Sequence, residues 1–526
     1  MPGLYFLAAS LLVAAPVPEG DPRPNIVLLF ADDLGRYASA YRNPDRPSPN
    51  DLIETPVFDR LAREGARFDQ AFVSAPSCTP SRAALYTGRH FFRNGSHSQL
   101  HHPWPKGDAD PFDDVIGMPR MLLDNGYHAG WSHKWHMRES LIGGKSHRYD
   151  RAGRRINSYS QQVSKADDPA TAKAAILSEV RENFRDFLAD RDDGQQFFYS
   201  FNPTNTHRTW VRGSGAALWG LDPSALEGKM PPFLPDNETV REDLADYLGE
   251  AMAFDAACGV IINELRTREL LDDTLVCITG DHGIPGFTNG KCNVYDFGAR
   301  VSLAMRLPNR IDPGRVVVTP VSLVDLAPTF LEAAGVSSSP ADSSMNGESL
   351  LPAVAPGGTD DDLRGWALIG REVHVGNARE GGLPYPVRAL RTKDHLYIWN
   401  FKPDRWPMGD PKGITAESTP PLEKIAKNTR TTLADMDASP TRTWLIEHRN
   451  DDGIGRFYEI AFGLRPMEEL YVLADDPLQQ RNVVDDPALH RIHFKLRDQL
   501  LIELERNQDP RLAEDAFDRP PYAVGP

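Results

Sequence analysis

A chain of 526 residues is too long for one ordinary domain and predicts two or so. With 40% hydrophobic and 25% charged residues it has the composition of a globular protein, and 44 Pro with 41 Gly predict many long, shaped loops. A formal net charge of -16 argues against nucleic acid or an anionic membrane surface as partner, so any site for an anionic substrate must be locally basic. Cysteines at 78, 258, 277 and 292 make no disulfide framework. Cys258 falls on an apolar helix face and Cys277 inside an apolar strand, so both read as buried thiols.

Leu4 to Val17 is apolar but too short to anchor stably in a bilayer, and Val13-Ala14-Ala15 suits a cleavage site. Residues 1–20 therefore read as a signal peptide. The expected location is periplasmic or extracellular, or a lysosome-like compartment in a eukaryote. Asn25 to Phe30 is a continuous apolar run, the pattern of a strand buried on both faces. It ends in Asp32 and Asp33, two carboxylates that are costly to bury unless paired or metal-bound. Thr55 as cap, Pro56 as first residue and Gly65 as stop bound a short helix.

Ser77 to Arg89 reads as a loop feeding a helix, with Pro80 suited to a first helical position. Cys78 then stands just before the helix, where unpaired N–H groups lower a thiol pKa. His97, His101 and His102 lie in a loop where they either line a pocket or face solvent. A helix near Pro119 to Asn125 precedes the strand Tyr127 to Ser132, which runs into Lys134 and His136, two apart and on one side of extended backbone. Ala170 to Arg191 is an amphipathic helix, and the strand Phe197 to Phe201 opens into His207-Arg208. A capping box, Thr239 to Glu242, starts a helix reaching about Leu271. The strand Thr274 to Thr279 ends in Asp281-His282, and Lys291 follows in a loop. Ser337 to Ser344 is a Ser-rich loop. After about Gly376, Arg388 to Thr392 and Leu396 to Phe401 predict a hairpin, and Pro487 to Arg506 a closing helix.

Cys78-Thr79-Pro80-Ser81-Arg82, with Ala83-Ala84-Leu85-Tyr86-Thr87-Gly88-Arg89 behind it, resembles the signature of type I sulfatases of the alkaline phosphatase superfamily. The likeness runs from Pro24 to about Asp486. It implies an α/β fold: a catalytic domain over 24–375 with a mixed, mostly parallel sheet between helices, and a smaller α+β domain over 376–526 with an antiparallel sheet. It implies that a maturing enzyme oxidises Cys78 to formylglycine (3-oxoalanine), held by Arg82. Asp32, Asp33 and Asp281 would bind Ca2+; His282, a less natural calcium ligand than the Asn that can stand there, would bind the metal weakly or hold the nucleophile instead. Lys134 and Lys291 would touch sulfate, His136 the formylglycine and His207 the leaving group. His133 replaces a Gly before Lys134, and Thr206 a Pro before His207.

Asp281-His282-Gly283-Ile284-Pro285, Thr206-His207-Arg208 and Pro384-Tyr385-Pro386-Val387-Arg388 are most similar to the heparan N-sulfatase (sulfamidase) branch. That implies a sulfated glucosamine at a glycan end. Arg371, Glu372 and His374 would grip this sugar, or else form a surface strand end. No stretch concentrates basic residues, which favours a short substrate. An O-sulfatase, a phosphoesterase of the same superfamily and a non-catalytic sugar-binding protein with unmodified Cys78 stay open at this point.

Overall fold

The computed structural model describes residues 23–100, 109–337, 345–513 and 516–518. The signal-peptide reading, His101, His102 and most of the Ser-rich loop lie outside these residues. Twelve strands are described: β1 (Asn25–Ala31), β2 (Ala66–Phe72), β3 (His128–His133), β4 (Phe197–Asn202), β5 (Thr274–Gly280), β6 (Arg300–Arg306), β7 (Arg315–Val317), β8 (Val321–Ser322), β9 (Trp366–Arg371), β10 (Val387–Thr392), β11 (His395–Asn400) and β12 (Glu468–Val472).

The large sheet runs β3-β4-β1-β5-β6-β2-β7, with β8 also paired to β2. β3, β4, β1 and β5 are mutually parallel, whereas β6 pairs antiparallel with both β5 and β2. The apolar run of β1 serves two cores at once. Ile26, Leu28 and Phe30 pack on one face, Val27, Leu29 and Ala31 on the other, as the period-2 alternation of side chains requires. The second sheet, β12-β11-β10-β9, is antiparallel throughout. It begins with β9 at Trp366, ahead of the change of character expected near Gly376.

Three helix starts differ from expectation. The helix α1 (Pro56–Glu64) keeps Pro56 at its first turn, but the Thr55 hydroxyl does not cap it; it bonds Ser39 and Asp59 instead. The helix α2 (Cys78–Thr87) begins at Cys78 itself, with Ser77 in the cap position. Pro80 is tolerated one turn in because the first N–H groups of a helix have no intrahelical partner. The long helix Glu238–Thr267 is capped by Asn237, whose side chain accepts from the Val240 N–H, not by a Thr239 box. The hairpin of β10 and β11 and the closing helix His490–Arg506 form as expected.

Candidate active site

Four parallel strands end at one edge of the sheet, about 4.8 Å apart from neighbour to neighbour. The register pairs Ala31 with Gly280 and His133 with Asn202. Asp32-Asp33, Lys134, His207 and Asp281-His282, far apart in sequence, thereby leave the sheet side by side. Gly280 is needed for the approach: a Cβ there would lie 1.9 Å from the Leu34 carbonyl. Asp33, His133 and His136 adopt left-handed backbone (φ 58, 66 and 60°), so the chain bends sharply as it leaves the strands. The wholly buried α2 aims its first turn at the same spot.

Cys78 Sγ stands 3.3 Å from His282 Nε2 and 3.6 Å from Asp33 Oδ1. Lys134 Nζ donates to both oxygens of Asp32 at 2.6 Å, and Lys291 Nζ to both oxygens of Asp33 at 3.1 Å. Arg82 Nε donates to Asp281 Oδ2 at 2.8 Å, and Arg82 Nη2 lies 3.5 Å from Asp32 Oδ1. Arg82 is thus sealed beneath the acids and orders them from below; it does not line the cavity above.

Burial alone would raise the Asp32 and Asp33 carboxyls. The neighbouring cations, Lys134 at Asp32 and Lys291 at Asp33, outweigh it and hold both below the usual range. At Asp281 burial wins over His282 and Arg82, and its carboxyl is raised. The Cys78 thiol is pushed well up by burial and by Asp32, the opposite of the helix-start expectation. Desolvation and a facing carboxylate outweigh the helix end here.

His282 Nδ1 lies 3.0 Å from the Gly283 carbonyl, so that nitrogen carries the proton. Nε2 faces Asp33 Oδ1 at 3.1 Å and Asp281 Oδ1 at 3.6 Å. Asp33, Cys78 and His282, and likewise Asp32, Cys78 and Asp281, offer ligand atoms within 4.8 Å of one another. Three carboxylates with one imidazole suit a hard divalent cation such as calcium.

Above the cluster opens a cavity of about 510 Å3, lined among others by Asp32, Cys78, Lys134, His136, His207, Lys291 and His374. His207 Nδ1 donates to the Arg208 carbonyl, leaving Nε2 on the cavity side, 3.9 Å from Asp33 Oδ2. His136 Nδ1 lies 3.2 Å from Thr79 Oγ1. His374 Nδ1 is 2.8 Å from the Ser77 hydroxyl, which explains why that hydroxyl leaves its helix uncapped. Arg371 and Glu372 point elsewhere and are neither sugar-gripping nor exposed: Arg371 donates to the Pro407 carbonyl, and Glu372 is locked to Arg388 and Arg511. His97 is buried against Phe112, with ring centroids 3.7 Å apart, and does not line this cavity.

Sequence reasoning missed Asp437, Arg430, Arg154 and Asn157, which also line the cavity. Asp437 Oδ2 lies 3.4 Å from Lys291 Nζ, so Lys291 bridges two acids. Both Arg430 and Asp437 come from the excursion between β11 and β12, a polar stretch without a motif. No local signal could have found them.

A family model described as Sulfatase matches residues 24–336. Human N-sulphoglucosamine sulphohydrolase is 28% identical across 95% of this chain and 93% of its own. An ulvan-active sulfatase of Formosa agariphila is 24% identical across 90% of this chain and 78% of its own. A protein solved in complex with its substrate D-glucosamine-2-N,6-O-disulfate superposes with a TM-score of 0.60 at 18% identity, covering 93% of this chain and 99% of that one. The chain shares that fold.

Proposed function

The chain belongs to the sulfatase family, and from that premise we propose that it hydrolyses the sulfamate of N-sulfoglucosamine at a glycan end. Formylglycine formed from Cys78 and a calcium ion would complete the site. The observation that carries this reading is the position of Cys78. It sits in a ring of three acids and two lysines, with His282 at 3.3 Å, at the floor of a 510 Å3 cavity. The relation to human N-sulphoglucosamine sulphohydrolase over nearly the whole chain supports the choice of substrate.

Formylglycine at position 78, when present and hydrated, would supply a geminal diol as the oxygen nucleophile for sulfur. Asp32, Asp33, Asp281 and His282 would hold calcium, which would supply polarisation of the reacting oxygens. Lys134 and Lys291 neutralise charge that gathers on the sulfuryl oxygens, in a buried site where such charges act strongly. Arg82 fixes the acids. His136, on the cavity wall, orients or deprotonates the diol. His207, its Nδ1 engaged by a carbonyl and its Nε2 on the cavity side, is the group placed to protonate the leaving nitrogen. Export guided by residues 1–20 belongs to the same reading. No helix among the described residues is long and apolar enough to cross a membrane.

Peptide mass spectrometry across residue 78 tests the modification, and sulfate release from N-sulfated against O-sulfated glucosamine tests the substrate. Conversion to the aldehyde with preferential N-desulfation is the expected result. An unmodified thiol in active protein would sink the mechanism; preferential O-desulfation would sink the substrate.

A further inference from the structure

We infer that the cavity mouth holds a second anion site, built by Arg430 and Arg154, that selects sugars carrying another oxyanion besides the sulfate at residue 78. The inference rests on reading the cavity as a sulfated-sugar site. Both arginines line the same cavity as Cys78. They arrive from separate segments: Arg154 just before the turn Arg155–Ser158, Arg430 within the turn Thr429–Thr431. Both are exposed. Arg154 Nε lies 3.0 Å from Asp150 Oδ2. The Arg430 guanidinium has no ion pair or hydrogen bond among the described residues; only its backbone N–H is engaged, by Asn428 Oδ1 at 2.9 Å.

That turn is held from beneath. The fully buried Arg442 donates to the carbonyls of Met436 at 3.0 Å and Thr429 at 3.2 Å, and also to Thr432. The backbone carrying Arg430 is therefore pinned, and a ligand there orders only one side chain. The chain carries a net charge of -16, yet among the described residues this cation has no counter-charge, on the wall of the cavity that holds Cys78. A guanidinium fork matches two oxygens of a carboxylate or a sulfate. The shared chemistry is an oxyanion, and its source is either a second sulfate on the same sugar or a carboxylate on the neighbouring one.

The test measures binding to the full chain carrying Cys78→Ala, by calorimetry, so that turnover does not interfere. The probes are glucosamine N-sulfate, its 6-O-sulfated form, and a disaccharide in which it is followed by a uronate. Each added oxyanion that reaches the site is expected to tighten binding about tenfold. Arg430→Gln should abolish that gain while changing the singly sulfated sugar by less than about twofold; Arg430→Lys should keep part of it, and Arg154→Gln should reduce it. Whichever probe shows the gain names the source. Equal binding of all three probes, or equal weakening of all three by Arg430→Gln, would overturn the inference. Absence of sulfate release by matured wild-type protein would instead strike the catalytic reading, leaving the binding ratios to decide this one.

Discussion

The molecule buries two clusters of acids and cations, one at the strand ends of the large sheet and one behind the small sheet, and they are built on opposite terms. Behind the small sheet, Arg388 donates to both oxygens of Asp509 at 2.5 and 3.0 Å and to Glu372 at 2.8 Å. Arg511 takes the other Glu372 oxygen at 2.5 Å. Every carboxylate oxygen of that pair is engaged. At the strand ends Asp32, Asp33 and Asp281 are matched by Lys134, Lys291 and Arg82, but a 510 Å3 cavity opens above them. Burial of charge does not by itself mark a site; buried charge that borders an open cavity does. The boundary is sharp: Glu372 is scaffold, while His374, two residues on, lines the cavity.

The largest expected effect would break the closed cluster. Arg388→Met leaves Glu372 and Asp509 short of their partner and should cost about 3–5 kcal/mol of stability by denaturant melts. Turnover per folded molecule should stay within about twofold, since nothing there reaches the cavity. A collapse of kcat in folded protein would erase the distinction between the clusters. In the open cluster the outcome reverses. Lys134→Ala should lower kcat by roughly 10²–10³, read by steady-state sulfate release, with a smaller loss of stability.

Chelation sharpens the contrast further. Stripping calcium from protein held at a hundred times its Kd should remove about 2.7 kcal/mol of stability, seen as a lower Tm. Asp32→Asn should lose that response and Arg388→Met should keep it. The smallest effect sits at the boundary. Burial, then Lys291, lowers the His374 pKa from 6.5 to about 3. The unfolded chain therefore takes a proton that the folded chain refuses between these values. Stability from this group is complete above pH 6.5 and falls by about 1.4 kcal/mol per pH unit below it. His374→Gln, which can still bond Ser77, should flatten the fall between pH 7 and 5 by about 2 kcal/mol. An unchanged pH profile would show that His374 is not held neutral.

What the sequence determined by itself was whatever depends on near neighbours. The apolar run of β1, the β10–β11 hairpin and the stop at Gly65 are written in period and punctuation, and the Cys78 motif with its strand-end acids marked where the chemistry gathers. Tertiary structure alone decided the rest. Asn237 rather than Thr239 caps the long helix, because competing acceptors are chosen by packing. The thiol of Cys78 shifts up, not down, because burial and a facing Asp32 outweigh the helix end. Arg82 lies beneath the acids, Arg371 and Glu372 turn inward, and Asp437 and Arg430 reach the cavity from a segment more than three hundred residues away. Charges act through space on whatever the fold brings near, and a one-dimensional pattern carries no record of that distance.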